Sequence, residues 1–416
     1  MKGRLRRIGA WLLYFVCLAV IFEAGSYYLL NSLDNRLGDI SERHLYNSIR
    51  GHELNPDYRR KFDTDDRKIH SDQGFRRDGP VEMRKPDGTF RIFVMGGSAL
   101  YGIGVQAGSV YPKYRTLFND ETITHFLEKK LNDAAKVAEI PLDIEVINAG
   151  VVAYQTFQHP LYFFETIYQY EPDAILFLDG HNDFYRITDD NQIKSYGYSS
   201  SNLIKNFNDR MPLITIYSVT RYFGQYSYFF KLLEKISRQL YANYEGRPRN
   251  IRLPSEAPDS TFAKRLEASA RNGFLRNYRL MQAFADYYDF SYHVFLQPEV
   301  VFEDPNNLND VDRTIRQTTF DRQVGDVGLL NMNRMREEFP RLFADFGIPY
   351  TDIGTIAEPG KGQPPQLYID YCHLTPAGSA IVAQRMFPAA FEILQRDWHA
   401  GKETASVSGA APVELP

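Results

Sequence analysis

The sequence predicts a three-layer α/β/α body on a doubly wound parallel sheet, preceded by one apolar helix. Three observations carry this: short apolar runs that end at glycine or asparagine, amphipathic segments alternating with them, and an uncharged N-terminal stretch of spanning length.

The N-terminal stretch comes first. Lys2, Arg4, Arg6 and Arg7 precede fifteen residues without a charge, Ile8 to Phe22, and after Glu23 the run resumes through Tyr27, Tyr28, Leu29 and Leu30. A spanning helix needs about twenty apolar residues, and flanking basic residues stay on the cytoplasmic side. Residues 1–7 are therefore read as a cytoplasmic tip, 8–30 as a signal anchor in the cytoplasmic (inner) membrane, and the rest as periplasmic or extracellular. A cleaved signal peptide opens the same way, but Phe22-Glu23-Ala24 is a poor cleavage site, and Val16 before Cys17 opposes a lipoprotein. Residues 31–71 read as a polar juxtamembrane linker and Asp72 to Arg77 as a turn-like entry to a body spanning 72–398. Residues 399–416 read as a disordered tail rich in Ala, Ser, Gly and Pro.

Within the body, Arg91 to Met95 is an apolar run ending at Gly96-Gly97, as in a strand buried on both faces. Ile123, Phe126, Leu127 and Leu131 then share one helical face between Glu121 and Val137. Ile144 to Ile147 is a second strand, and Thr156 to Tyr170 a helix stopped by Pro172. Ala174 to Leu178 is a third strand, ending at Gly180. Phe274, Tyr278, Met281, Phe284 and Tyr288 mark another helix, followed by a strand from Tyr292 to Leu296. A last helix starts after Thr375, a good N-cap, with Pro376 at its first position. Strand–helix alternation of this kind implies right-handed crossovers.

The chain has 416 residues, 44% apolar and 24% charged, with two cysteines, which excludes wholesale disorder, collagen and a disulfide scaffold. Net charge is −4, and because the basic cluster contributes +4, the remainder carries −8. Such a body lacks the basic stripe that nucleic acid requires.

In doubly wound sheets, ligands sit beyond the carboxyl ends of the strands. That rule selects Ser98, Gly150, Asn182 and Asp183. Gly96-Gly97-Ser98-Ala99-Leu100-Tyr101-Gly102 puts a serine in a glycine-flanked turn where a helix begins, exposing its hydroxyl. Asp370-Tyr371-Cys372-His373 offers a base, with a carboxylate three residues ahead to hold the imidazole. Asn182 can donate an amide hydrogen to an oxyanion, and Gly150 can bring its backbone N–H close.

With these residues the sequence resembles the SGNH (GDSL-type) hydrolase superfamily, whose four name-giving residues fall in this order on a flavodoxin-like fold. The resemblance implies Ser98 as nucleophile and His373 as general base oriented by Asp370. It also implies an oxyanion hole from the Ser98 amide, Gly150 and Asn182. Gly180-His181-Asn182-Asp183 is similar to the family's Gly-x-Asn-Asp block, with Asp183 read as tying down the loop that carries Asn182. One departure is visible: where the family has Asp before the serine, this chain has Gly97, although that Asp is not a reacting group.

The expected chemistry is ester cleavage through an acyl-enzyme, with no cofactor and no metal. An acylated glycan or another small ester of the cell envelope is the expected substrate. An O-acyltransferase using the same residues, and a membrane-anchored scaffold that has lost turnover, are the alternatives. Gly102-Ile103-Gly104-Val105-Gln106-Ala107 fits a dinucleotide fingerprint only as a string, because Gly108 and Pro112 interrupt the helix it would need. An insertion at 187–259 carries Tyr217, Tyr222, Phe223, Tyr226, Tyr228, Phe229, Phe230, Tyr241 and Tyr244. These rings suit stacking on sugars, lying on a membrane, or filling the core of a small cap.

Overall fold

The computed structural model describes residues 2–37, 43–47, 49–58, 68–105, 114–183, 219–220, 222–224, 226–234, 236, 267–268, 270–360 and 364–408. The chain divides into two compact units, one of residues 1–67, 111–113 and 198–250, the other of 68–110, 114–197 and 251–416.

The first unit contains α1 (Lys2–Leu37), within which Gly9–Ser32 is long and apolar enough to cross a membrane. Beyond it, β1 (His44–Asn47) and β2 (Gly51–Leu54) form an antiparallel hairpin, so the stretch read as a linker has structure of its own. Its turn is local chemistry: Asn47 Oδ1 accepts from the backbone N–H groups of Ile49 and Arg50, and Gly51 takes the left-handed conformation at φ 87°. Among the described rings of the insertion, Tyr222, Phe223, Tyr226 and Tyr228 are exposed and Phe229 and Phe230 half-buried, so of the alternatives above the cap core does not hold for the first four. Tyr217, Tyr241 and Tyr244 lie outside the described residues.

The second unit begins with β3 (Thr89–Gly96), the short helix α2 (Ser98–Tyr101) and a small hairpin of β4 (Ile103–Val105) and β5 (Tyr114–Thr116). There follow α3 (Ile123–Val137), β6 (Asp143–Gly150), α4 (Gln158–Glu165) and β7 (Ala174–Asp179). After the insertion come α5 (Leu275–Tyr288), β8 (Ser291–Leu296), α6 (Asp310–Thr319) and α7 (Gly325–Ala344), then β9 (Tyr350–Asp352) and α8 (Pro376–Ser408).

The five long-range strands are parallel and lie in the order β6-β3-β7-β8-β9, which is 2-1-3-4-5 by sequence. That is the flavodoxin-like order, with its switch point at β3. Successive side chains of a strand face opposite ways. Ile92 and Val94 enter the core shared with Leu127 and Leu131 of α3 and Val382 and Met386 of α8. Phe93 faces the other side, where its ring meets Phe75 and Tyr170. On that side Phe163 of α4 stacks on Phe284 of α5, and Phe177 meets Tyr278.

Helix α8 continues ten residues past Trp398, to Ser408, so the tail read as disordered from 399 is helical up to that point. Ala400, Lys402, Glu403 and Ala405 are good helix formers and carry it on past Gly401.

One half-buried group is expected to make stability depend on acid. His293 of β8 donates to or accepts from Thr351 Oγ1 at 2.9 Å, and burial lowers its pKa from 6.5 to about 4. The folded state holds the neutral ring, so protons bind the unfolded chain first and stability falls as pH drops from about 6.5 towards 4. At 1.36 kcal/mol per unit the loss is on the order of 2–3 kcal/mol. Chemical denaturation at pH 7 and pH 4.5 should therefore show a drop that is smaller by that amount in His293→Leu. Equal drops in both proteins would refute this assignment.

Candidate active site

Four strand ends meet at the carboxyl edge of the sheet, around a helix of only four residues. Gly97 and Ser98 leave β3 directly into α2, and Gly102 closes the turn in the left-handed conformation at φ 85°, its N–H donating to Ser98 O. So short a helix leaves its last carbonyls without intrahelical partners. The Asn148 side chain donates to Leu100 O at 2.9 Å, and the Arg76 guanidinium donates to Tyr101 O at 2.5 Å. Arg76 also donates to Leu117 O and, at 2.9 Å, to Asn119 Oδ1, while its guanidinium carbon lies 4.7 Å from the centre of the Tyr101 ring. The turn that carries Ser98 is therefore fastened from below by two buried side chains.

Removing Arg76 would leave buried acceptors unpaired, each a cost of about 1–3 kcal/mol. Arg76→Ala is expected to lower unfolding free energy by about 3 kcal/mol or more, measured by denaturant titration. A loss below about 1 kcal/mol would show that the turn holds itself.

Ser98 is half-buried; behind it, His373 and Asp370 are buried. His373 Nε2 lies 2.6 Å from Ser98 Oγ, and His373 Nδ1 lies 2.6 and 2.8 Å from the two Asp370 carboxylate oxygens. Asp370 Oδ1 accepts in addition from the backbone N–H groups of Cys372 and His373, at 3.2 and 3.1 Å. Those two bonds fix the carboxylate before the imidazole reaches it. The buried Cys372 thiol is raised well above its ordinary pKa by burial and then by the Glu299 and Asp370 charges, so it stays protonated and does not compete as a nucleophile. Asp370, Cys372 and His373 also lie close enough together to suggest a metal. Asp370 and His373, however, are committed to each other and to Ser98.

Asn182 stands opposite. Its Nδ2 donates to Tyr154 O at 2.8 Å, and its own carbonyl accepts from Gln155 Nε2 at 3.2 Å. One amide hydrogen is thereby spent on positioning, and the other has no partner among the described residues. The buried Asp183 accepts from the Thr156 hydroxyl at 2.8 Å, and Asn277 donates to that same hydroxyl at 2.9 Å, so the loop carrying Asn182 is tied to the one after β6.

Gly150 is placed differently from its expected role. Its N–H donates to Asn148 Oδ1 at 2.9 Å, and a Cβ there would lie 2.7 Å from the Tyr101 nitrogen. The residue is needed for close packing under α2, and its N–H is not offered to a ligand. Three residues on, Ala153 holds φ 65° in the turn closed by the Tyr154 N–H on Val151 O, and its own N–H has no partner among the described residues. A left-handed alanine costs about 1–2 kcal/mol, and such strain concentrates at functional sites. Neither this turn nor Arg76 carried a recognisable motif, because a positive φ at alanine and a guanidinium fastening a distant turn are set by tertiary packing.

The glycines of the apparent dinucleotide string serve this site instead. Gly102 caps α2, and a Cβ on Gly104 would lie 2.8 Å from His373 Cβ and 2.9 Å from Ile369 Cγ2. His181 is drawn to one side, its Nδ1 2.8 Å from Glu299 Oε1 and its ring 4.7 Å from that of Tyr371, which in turn lies 5.6 Å from His373.

No protein-family model matches the chain, and neither does any curated protein. Among solved structures the chain is similar to an acetyl xylan esterase at 11% identity and TM-score 0.32, over 72% of this chain and 99% of that one. An inhibitor-bound aryl esterase of M. smegmatis gives 13% identity and TM-score 0.35, over 73% and 100%. A carbohydrate acetylesterase of Sinorhizobium meliloti gives 12% identity and TM-score 0.33, over 73% and 98%. In its own strand order and in the sequence of its blocks, from Ser98 through Asn182 to Asp370 and His373, the chain is similar to SGNH hydrolases.

Proposed function

We propose that this protein is a serine esterase that cleaves acyl esters through an acyl-enzyme, with α1 retained as a membrane anchor and the body outside the cytoplasm. The observation that carries the reading is the unbroken relay from Ser98 Oγ to His373 Nε2, at 2.6 Å, and from His373 Nδ1 to Asp370, also at 2.6 Å. These are the nucleophile–base and base–orienter distances that acyl transfer requires.

His373 takes the Ser98 proton as the oxygen attacks the ester carbonyl. Asp370 keeps the other ring nitrogen protonated and stabilises the imidazolium. The carbonyl oxygen gains charge and is met by the second hydrogen of Asn182 Nδ2 and by the Ser98 N–H. His373 returns its proton to the departing alcohol, and water, deprotonated by the same ring, releases the acid. No residue in this scheme needs a metal or an organic cofactor.

The alcohol side of the ester is assigned to a glycan or another envelope component, the esters that a body outside the cytoplasm would meet. The full-length protein in detergent should hydrolyse a short-chain aryl acetate and take up one equivalent of a fluorophosphonate probe at Ser98. Inertness towards both would overturn the reading in favour of a scaffold.

A further inference from the structure

The apolar stretch Gly9–Ser32 carries one charge, Glu23, that the esterase reading leaves unused. Glu23 lies nine residues before Ser32, about 14 Å along the helix at 1.5 Å per residue, inside the segment long enough to span. A carboxylate at such depth is costly and is normally partnered.

Its partners come from the insertion. Glu23 accepts from Ser227 Oγ at 2.8 Å, from the Tyr228 N–H at 2.5 Å and from the Phe229 N–H at 3.2 Å. Ser227 in turn accepts from the Phe230 N–H at 3.3 Å, which makes it the N-cap of the helical residues 228–234. Glu23 thus satisfies donors that a helix start leaves unpaired, and adds the negative charge a helix N-terminus favours. Rings close the joint on both sides: Phe22 lies 5.7 Å from Phe229, and Tyr27 lies 4.9 Å from Tyr228.

The outer surface of this joint is apolar. Tyr222, Phe223, Tyr228 and Ile236 are exposed, and Tyr226 is 74% exposed, beside an anchor whose Trp11 to Phe15 and Val20 to Phe22 are exposed as well. Exposed apolar surface continuous with a spanning helix finds its cover in the same hydrocarbon. The tyrosines gathered at this end, Tyr27 and Tyr28 included, have the amphipathic character of rings at a membrane interface.

We infer that the described residues 219–220, 222–224, 226–234 and 236 belong to a second membrane-associated element, seated among the acyl chains of the outer leaflet and docked on the anchor through Glu23. This rests on α1 being a retained span. It also gives Glu23 a reason to sit in an apolar helix.

Depth-dependent quenching tests both points separately. The full chain is reconstituted in phosphatidylcholine nanodiscs with bromine at the 6,7 or the 11,12 carbons. In Trp398→Phe, the remaining Trp11 reports on the anchor. In Trp11→Phe/Trp398→Phe/Tyr226→Trp, the single indole reports on the insertion. At least twofold quenching of both by one or the other lipid is expected. Adding Glu23→Leu should abolish at least half of the quenching at 226, and Glu23→Gln, which keeps an acceptor, should retain most of it. An unquenched Trp11 would overturn the span itself. A quenched Trp11 with an unquenched indole at 226, whether water or a second copy covers the rings, would overturn the inference alone. Undiminished quenching at 226 in Glu23→Leu would overturn the docking role.

Discussion

Ser98→Ala is expected to lower kcat/KM for a short-chain aryl acetate by about 10⁴-fold or more, with thermal stability unchanged. In the proposed mechanism the Ser98 oxygen forms the bond to the acyl carbon, so its loss would leave His373 with nothing to activate. His373→Ala should cost about as much, and the double variant little more than either, because residues of one relay act as a unit. Asp370→Asn separates orientation from charge. The amide oxygen can still accept the backbone N–H groups of Cys372 and His373, now held at 3.2 and 3.1 Å, so the loop survives. The imidazole loses its anionic partner, and a fall of about 10³–10⁴-fold is expected. Retention of more than a tenth of activity in Ser98→Ala, with the protein folded, would sink the covalent route.

What was legible in the sequence follows from which interactions are local. The buried strands β3, β6 and β7 announce themselves as apolar runs because both faces are covered, and Asp370 and His373 are close because they are three residues apart. Strand β9 is only Tyr350–Asp352, half-buried throughout, and so gives no comparable run. The β1–β2 hairpin was hidden in polar composition, although Asn47 and Gly51 are the residues such a turn requires. Gly150 misled for a physical reason: a glycine at a strand end can offer its N–H or can let another backbone approach, and only tertiary structure shows that Asn148 takes the N–H while Tyr101 takes the space. Glu23 is the converse case. One acid in an apolar helix is visible in sequence, but its partners lie more than two hundred residues away.

Gly97→Asp, which introduces the residue usual at this position in the SGNH hydrolases the sequence resembles, is expected to damage the site. A Cβ on residue 97 would lie 2.8 Å from Asn182 Nδ2 and 3.4 Å from Tyr154 O, the same carbonyl that holds the Asn182 amide at 2.8 Å. Contacts under 3 Å do not survive, so either the amide swings away or the 97–98 backbone shifts. A carboxylate there would also stand beside the developing oxyanion and repel it. Losing one oxyanion donor costs about 10²–10³-fold in kcat, and that is the loss expected, with a smaller change in KM. Gly97→Ala brings only the Cβ and tests the steric part. If displacement of Asn182 is the cause, Gly97→Ala and Asn182→Ala should each reduce kcat and should combine less than additively, since the second change removes a group the first has already displaced. Full additivity would place the damage at the serine turn instead, and undiminished kcat in Gly97→Asp would mean that this site accommodates the aspartate, so that its absence has no steric origin.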